Sequence, residues 1–422
     1  MDRINGNKTA QIRKEFPFYQ GPGKSFVYFD NAATAQKPQV VIDRLSHFYC
    51  FENANIHRGL YSLSYQASEA FERARETVRE WIGAGTAEEI VFTKSSTEAV
   101  NLAASAVSGC MLKPGYSVVV TELEHSSNYY PWEQCCRHIG AVFKIAKARP
   151  DGSISAEDIM DAADSSTRLI AVTGMSNATG FMPELGKLIR EAHRRKILVF
   201  VDATQLIVHR KISVMEMDCD LLCFSGHKLY APMGTGVLYG KRELLYEMKP
   251  FLYGGDMVEK EDGGRISFRQ DPGKYEAGTQ NIAGVLGLET ALLFLKEKNF
   301  ETELVPYEER LSRYLAERMA EIPGIKRHGA AGQCPSIYNF SLEGCGAYDV
   351  GTFLAAKGIA VRAGGHCAYP MMKRLGLEAS VRISLSFCNT EEEIDLLADS
   401  LSALSWNLRR NTEEGRNFQS NE

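Results

Sequence analysis

The sequence predicts an α/β chain with a large unit wound on a mostly parallel sheet and a smaller α+β unit after it. Three observations carry this. Short β-branched or aromatic runs alternate with helical patterns through the first two thirds of the chain. Those runs are mostly apolar throughout rather than alternating, which suits strands covered on both faces. After about Ile282 the pattern changes to long helices followed by clustered short strands.

Seven runs read as strands of the large unit: Phe26–Phe29, Ile90–Thr93, Ser117–Thr121, Arg168–Thr173, Ile197–Val201, Leu221–Phe224 and Gly236–Tyr239. Between them, Ala70, Phe71, Ala74, Val78, Trp81 and Ile82 recur at helical spacing. Thr97–Met111 predicts a second helix and Pro183–Arg195 a third, with Pro183 near its start. Tyr253–Gly278 is rich in glycine and charge and predicts a long surface loop or hairpin. Two long helices, Ile282–Lys298 and Thr302–Glu321, open the smaller unit. Strands near Ser336–Ser341, Ile359–Arg362 and Ser380–Ser386 follow, and a helix from Glu391 to Leu408 closes it. The large unit is thus expected over residues 26–282 and the small one over 283–408, with a polar, disordered tail over 409–422.

Composition limits the function. The chain has 422 residues, 44% hydrophobic and 24% charged, ordinary values for a soluble globular protein. A net charge of -5 supplies no field for nucleic acid or an anionic membrane. Met1 to Gln20 has neither an apolar core nor a small-residue cleavage site, and no run approaches membrane-spanning length. A cytoplasmic location is the resulting expectation. The ten cysteines form no CxxC pair, so most are expected to be reduced, buried, small hydrophobes, and no metal site is expected.

Three segments carry candidate chemistry. Ile90–Thr93 runs through Lys94, Ser95, Ser96 and Thr97 into a helix, with Ser95 and Glu98 at capping-box spacing. Hydroxyls beside the free N–H groups of a first helical turn suit an anion such as phosphate. Asp202 ends an apolar run, at the rim where ligands of parallel sheets gather. Lys228 follows the strand Leu221–Phe224 and sits among Gly226, Gly234 and Gly236. A phosphate cradle, a lysine and an acid are the parts that pyridoxal phosphate requires.

Phe224-Ser225-Gly226-His227-Lys228-Leu229-Tyr230 resembles the lysine motif of class V, fold type I pyridoxal-phosphate enzymes. More narrowly, the chain resembles the group II cysteine desulfurases and selenocysteine lyases. The likeness runs from about Tyr28 to Asn389. It includes Asn55-Ile56-His57-Arg58-Gly59, Glu124-His125 with Asn128, Pro131 and Trp132, Ser176-Asn177, Glu276-Ala277-Gly278-Thr279, Arg362 through Ala368, and Arg382 with Asn389-Thr390. The resemblance implies a fold type I transferase with a seven-stranded sheet, residues 1–25 packing with the small unit, and a homodimer. It implies Lys228 as the cofactor's covalent anchor, Asp202 against the pyridine nitrogen, Gln205 on the ring hydroxyl and His125 stacked on the ring. Ser96, Thr97, Ser225 and His227 would hold the phosphate, and Thr279 would reach the phosphate of the neighbouring subunit. Arg382 would hold the substrate carboxylate with Asn177 close by, while His57 and Arg362 would line the pocket.

The reaction so implied converts L-cysteine to L-alanine and leaves a persulfide on Cys367. That persulfide would pass to a sulfur-acceptor or iron–sulfur scaffold protein; L-selenocysteine is a second candidate substrate. Two alternatives stand beside it: another class V chemistry, such as an aminotransferase, epimerase or lyase that does not use Cys367, and a non-catalytic scaffold on the same fold. The sequence departs from the family pattern in places. Gly365 stands in Ala363-Gly364-Gly365-His366 where the family usually has Thr-Gly-His-His. Asp202-Ala203-Thr204-Gln205 replaces Asp-Gly-Ala-Gln, and Phe181 stands where a smaller polar residue is common.

Overall fold

The computed structural model describes residues 9–330 and 336–419. The strands are β1 (Val27–Tyr28), β2 (Ile90–Thr93), β3 (Ser117–Thr121), β4 (Val142–Ala146), β5 (Thr167–Thr173), β6 (Leu198–Asp202), β7 (Leu221–Ser225) and β8 (Gly236–Gly240). They continue as β9 (Val258–Asp262), β10 (Arg265–Phe268), β11 (Ile325–His328), β12 (Ile337–Leu342), β13 (Ile359–Ala360), β14 (Arg362–Gly364) and β15 (Ser380–Ser384).

The large sheet has seven strands in the order β2-β8-β7-β6-β5-β3-β4, as expected in number. β8 is antiparallel to both its neighbours; the other pairs are parallel. Its central strands are apolar on both faces for a visible reason. Val119, Ile170, Val199, Val201, Leu222 and Phe224 enter one buried cluster, while Val118, Val120, Leu169, Phe200, Leu221 and Cys223 enter another on the opposite face.

The membership of that sheet differs from the expectation at two strands. Phe26–Phe29 does not join it: β1 is two residues long and pairs in parallel with β13, extending to an Asp30–Ser384 bridge. β4 takes the seventh place, at the edge. Its Val142 and Ile145 are 47% and 39% exposed, so it lacks the apolar run that marks a central strand.

The small sheet is antiparallel, in the order β11-β12-β15-β14. The stretch expected as one strand over Ile359–Arg362 is split, β13 turning to β1 and β14 to β15. The helix Ile282–Glu297 packs on helices Gln39–His47 and Ser62–Ile82 rather than on the small sheet, and the helix Val305–Ala320 packs on the last helix. Arg13 reaches the carbonyl of Cys388 at 2.7 Å and the carboxylate of Glu393 at 2.5 Å, tying the N-terminal segment to the small-sheet side. The last helix spans Glu391–Gln419, so the helical backbone runs through most of the tail expected to be disordered. Residues 420–422 of that tail lie outside the described residues.

β9 and β10 form the hairpin anticipated within 253–278; Gly263 and Gly264, at φ 55° and 84°, supply the two left-handed positions of its turn. Of the nine described cysteines, all free, only Cys136, Cys219, Cys223 and Cys388 are buried, fewer than the sequence suggested. Burial pushes the Cys136 and Cys219 thiols up to about 12. Among the described residues there is no helix long and apolar enough to cross a membrane and no cluster of metal-ligating side chains.

Candidate active site

Five strands of the large sheet deliver side chains to one rim. β2 leads to Ser95–Thr97, β3 to His125, β5 to Asn177, β6 ends at Asp202, and β7 leads to Lys228. Ligands gather at this end of a parallel sheet because the loops there diverge and leave a crevice. From the small sheet come Arg362 on β14, Arg382 on β15, and the His366–Cys367 turn. These residues line one cavity of about 240 Å³, together with Ser96, Thr97, Thr204, Gln205, Ser225 and His227.

The anion side of the cavity is a cluster of hydroxyls. Ser95 caps the helix Ser96–Ser108 by accepting from the Glu98 N–H. Ser96 Oγ lies 2.7 Å from Ser225 Oγ and 2.6 Å from Thr204 Oγ1, and the Ser96 N–H donates to Ser225 Oγ at 2.8 Å. Thr97 Oγ1 pairs with Ser127 Oγ at 2.8 Å. Gly236 makes this packing possible: a Cβ there would fall 2.6 Å from the Ser95 carbonyl carbon. His227 Nδ1 lies 3.2 Å from Thr34 Oγ1, and burial with the charges of Lys228 and Lys37 holds its imidazole down at about 4.

Lys228 and Asp202 face the same space. Burial lowers the Lys228 amine to about 8; Asp202 opposes that shift, while Arg382 and Arg362 add to it. Burial penalises the charged ammonium, so a usable fraction is free amine near neutral pH. In cofactor-free protein, carbamylation of Lys228 by cyanate should rise with pH to a half-maximum near 8. Peptide mass mapping isolates the Lys228 signal, and a half-maximum near 10.5, the ordinary lysine value, contradicts the assignment. Asp202 is buried and accepts the Thr204 N–H at 3.0 Å, which fixes its carboxylate at the strand end. Gln205 Nε2 donates to the Ala32 carbonyl at 2.9 Å.

His125 caps the helix Ser126–Ile139, its Nδ1 accepting the Ser127 N–H at 3.1 Å. That bond leaves the ring proton on Nε2. Burial first, then Lys228, lowers the imidazole to about 4, so it is neutral at physiological pH. Behind it Glu124 is fully enclosed and accepts from Thr121 Oγ1 (2.6 Å), Asn128 Nδ2 (2.6 Å) and the Thr173 N–H (3.0 Å). Trp132 Nε1 donates to Asn128 Oδ1 at 3.0 Å, completing a chain that holds the His125 turn.

Arg362 and Arg382 are directly opposed across β14 and β15. Like charges so placed repel unless a counter-charge joins them. Asp30 is that counter-charge, at 3.1 Å from Arg382 Nη2 and 3.7 Å from Arg362 Nη1. The pairing of β1 with the small-sheet side brings Asp30 there. Arg382 also donates to the Asn177 carbonyl at 2.9 Å. Its Nε and the Asn177 Oδ1 are buried without partners, the condition expected of groups that meet a polar ligand.

His57 stands apart: its Nε2 lies 3.4 Å from Glu72 and it does not line the cavity. Its backbone is left-handed, at a φ of 73°. Thr279 lies in a separate cleft of about 360 Å³ with Lys94 and Gln280. Sequence reasoning did not anticipate Asp30, Ser126, Ser127 or the role of Thr204. The hydroxyl of Thr204, where the family pattern has alanine, was the one available signal. The donor set suits pyridoxal phosphate: an enclosed amine, a carboxylate fixed at a strand end, an unprotonated imidazole, and hydroxyls at a helix start.

The family model described as Aminotransferase class-V matches residues 27–397. A probable cysteine desulfurase of Mycobacterium leprae is 43% identical over 96% of this chain and 66% of its own length. The chain spans less than two thirds of the length of the first curated relatives it matches (66%, 57% and 63%). A cysteine desulfurase of Pectobacterium atrosepticum is 38% identical over 93% of this chain and 97% of its own length. The crystal structure of the cysteine desulfurase CsdA (S-sulfonic acid) from Escherichia coli superposes with a TM-score of 0.85 at 34% identity, covering 94% of this chain and 98% of the other.

Proposed function

The chain belongs to the class-V aminotransferase family, and from that membership we propose that it is a pyridoxal-phosphate-dependent cysteine desulfurase. The observation that carries this reading is a thiol in the right place. Cys367 is exposed yet lines the same cavity as Lys228, Asp202 and Arg382.

Lys228 would anchor the cofactor covalently, Asp202 would face its ring nitrogen, Gln205 its ring hydroxyl, His125 would lie over the ring, and Ser96, Thr97, Ser225 and His227, with Thr204 beside them, would hold its phosphate. When bound, pyridoxal phosphate supplies an electron sink for bonds broken at the substrate's α-carbon. Arg382 takes the carboxylate of L-cysteine, with Asn177 Oδ1 beside it. Lys228, as free amine, takes the α-proton. The Cys367 thiolate attacks the substrate sulfur: an S–S bond forms, the C–S bond breaks, and its electron pair stays on the substrate carbon, which is then protonated. The sum is L-cysteine plus the Cys367 thiol giving L-alanine plus a Cys367 persulfide. Equal amounts of alanine and sulfide from L-cysteine under a reductant test this; a product that retains sulfur contradicts it.

Arg382→Lys should raise the KM for L-cysteine about 10–10²-fold and leave the cofactor's absorption unchanged, because one ammonium cannot replace a planar fork that also serves Asp30 and Asn177. An unchanged KM would remove Arg382 from the carboxylate site.

The working form is a homodimer in this proposal. Tyr49, Phe51, Tyr61 and Tyr65 are 56–72% exposed and near one another in sequence, aromatic side chains that a partner subunit could cover. Thr279, outside its own chain's cavity, is then available to the partner's phosphate. A small sulfur-acceptor protein, in a cytoplasmic setting consistent with the free cysteines, would take the persulfide onward.

A further inference from the structure

Cys367 and the preceding His366 both have left-handed backbones, at φ 53° and 54°. Non-glycine residues rarely adopt this conformation, and two in succession persist only where the surroundings impose it. Part of the restraint is local: the Ala368 N–H donates to the Gly365 carbonyl at 3.0 Å, closing a turn over the pair, and His366 Nε2 lies 2.9 Å from Ser380 Oγ. The rest comes from across the cleft. Asn177 Nδ2 donates to the His366 carbonyl at 2.7 Å. Ser126 donates twice to the Cys367 carbonyl, from its backbone N–H at 2.8 Å and from Oγ at 2.9 Å. Each strained residue therefore has its carbonyl held by a donor on the large-sheet side.

We propose that Ser126 is a positioning residue for Cys367, its hydroxyl and N–H together setting the thiol over the cavity. Ser126 directly follows His125, so the same turn fixes the imidazole and the sulfur nucleophile relative to each other. Ser126 touches only the main chain of the cysteine; its effect falls on the sulfur step and not on cofactor or substrate binding. The proposal rests on the desulfurase reading for its kinetic consequence and on geometry alone for its structural one.

Three measurements on the cofactor-loaded protein test it. For Ser126→Ala, the N–H bond remains and one hydroxyl bond is lost. The rate of sulfur addition to Cys367 on mixing with L-cysteine, followed by intact mass, should fall about three- to tenfold. The KM for L-cysteine and the absorption change on adding it should stay within about twofold of wild type. Ser126→Thr should restore the rate. Without substrate, hydrogen–deuterium exchange across residues 362–370 should speed up in Ser126→Ala and return to normal in Ser126→Thr. Unchanged exchange overturns the clasp, as does sulfur addition at the wild-type rate, or an equal loss of substrate binding. A wild-type protein that adds no sulfur to Cys367, while Ser126→Ala still loosens 362–370, overturns the desulfurase reading and leaves the clasp standing.

Discussion

Lys228→Ala is expected to lower alanine and sulfide formation from L-cysteine by ~10³-fold or more, and to abolish the covalent attachment of the cofactor. Lys228 is the amine inside the cavity, and burial lowers it to about 8, where a free-base fraction exists at neutral pH. Arg362 and Arg382 also line the cavity, but a guanidinium does not give up a proton in this range. The substitution removes an enclosed ammonium whose burial works against folding. The cofactor-free variant should therefore unfold thermally no lower than cofactor-free wild type. Absorption spectra, product assays and a melting curve check the three parts. Activity within tenfold of wild type contradicts the assignment of Lys228 as base.

Cys367→Ala is the second large effect. Alanine formation from L-cysteine should fall by at least ~10²-fold, because without the thiolate no nucleophile takes the substrate sulfur. The side chain is exposed, so its truncation opens no core cavity and the fold should be unaffected. Cofactor loading and the absorption change with L-cysteine should persist, which separates a lost sulfur step from a lost binding site. With L-selenocysteine the loss should be smaller, since selenium leaves carbon more readily. Alanine produced from L-cysteine at the wild-type rate would point to class V chemistry without the thiol.

The sheet was readable because its central strands are buried on both faces. Runs such as Val118–Val120 and Val199–Val201 carry that burial in their composition. β4 was not readable for the converse reason: an edge strand with Lys144 at its centre and solvent on one side has no such signature. β1 was misplaced because two residues cannot specify a partner; its pairing with β13 is decided by contacts more than 300 positions away. The same division holds at the site. Ser96, Asp202 and Lys228 follow strands, and a strand end is visible in sequence. Asp30 and Ser126 gain their meaning from Arg382 and Cys367, 352 and 241 positions on, and nothing local marks them. His57 belongs to the same motif, and within its own chain its ring meets Glu72 at 3.4 Å.

Intact mass of the cofactor-loaded protein after brief exposure to L-cysteine without reductant is the most direct test. A gain of one sulfur atom is expected, mapped to Cys367 by peptide analysis and absent from both Lys228→Ala and Cys367→Ala. An unchanged mass alongside normal alanine release, or sulfur found on another cysteine, would contradict it.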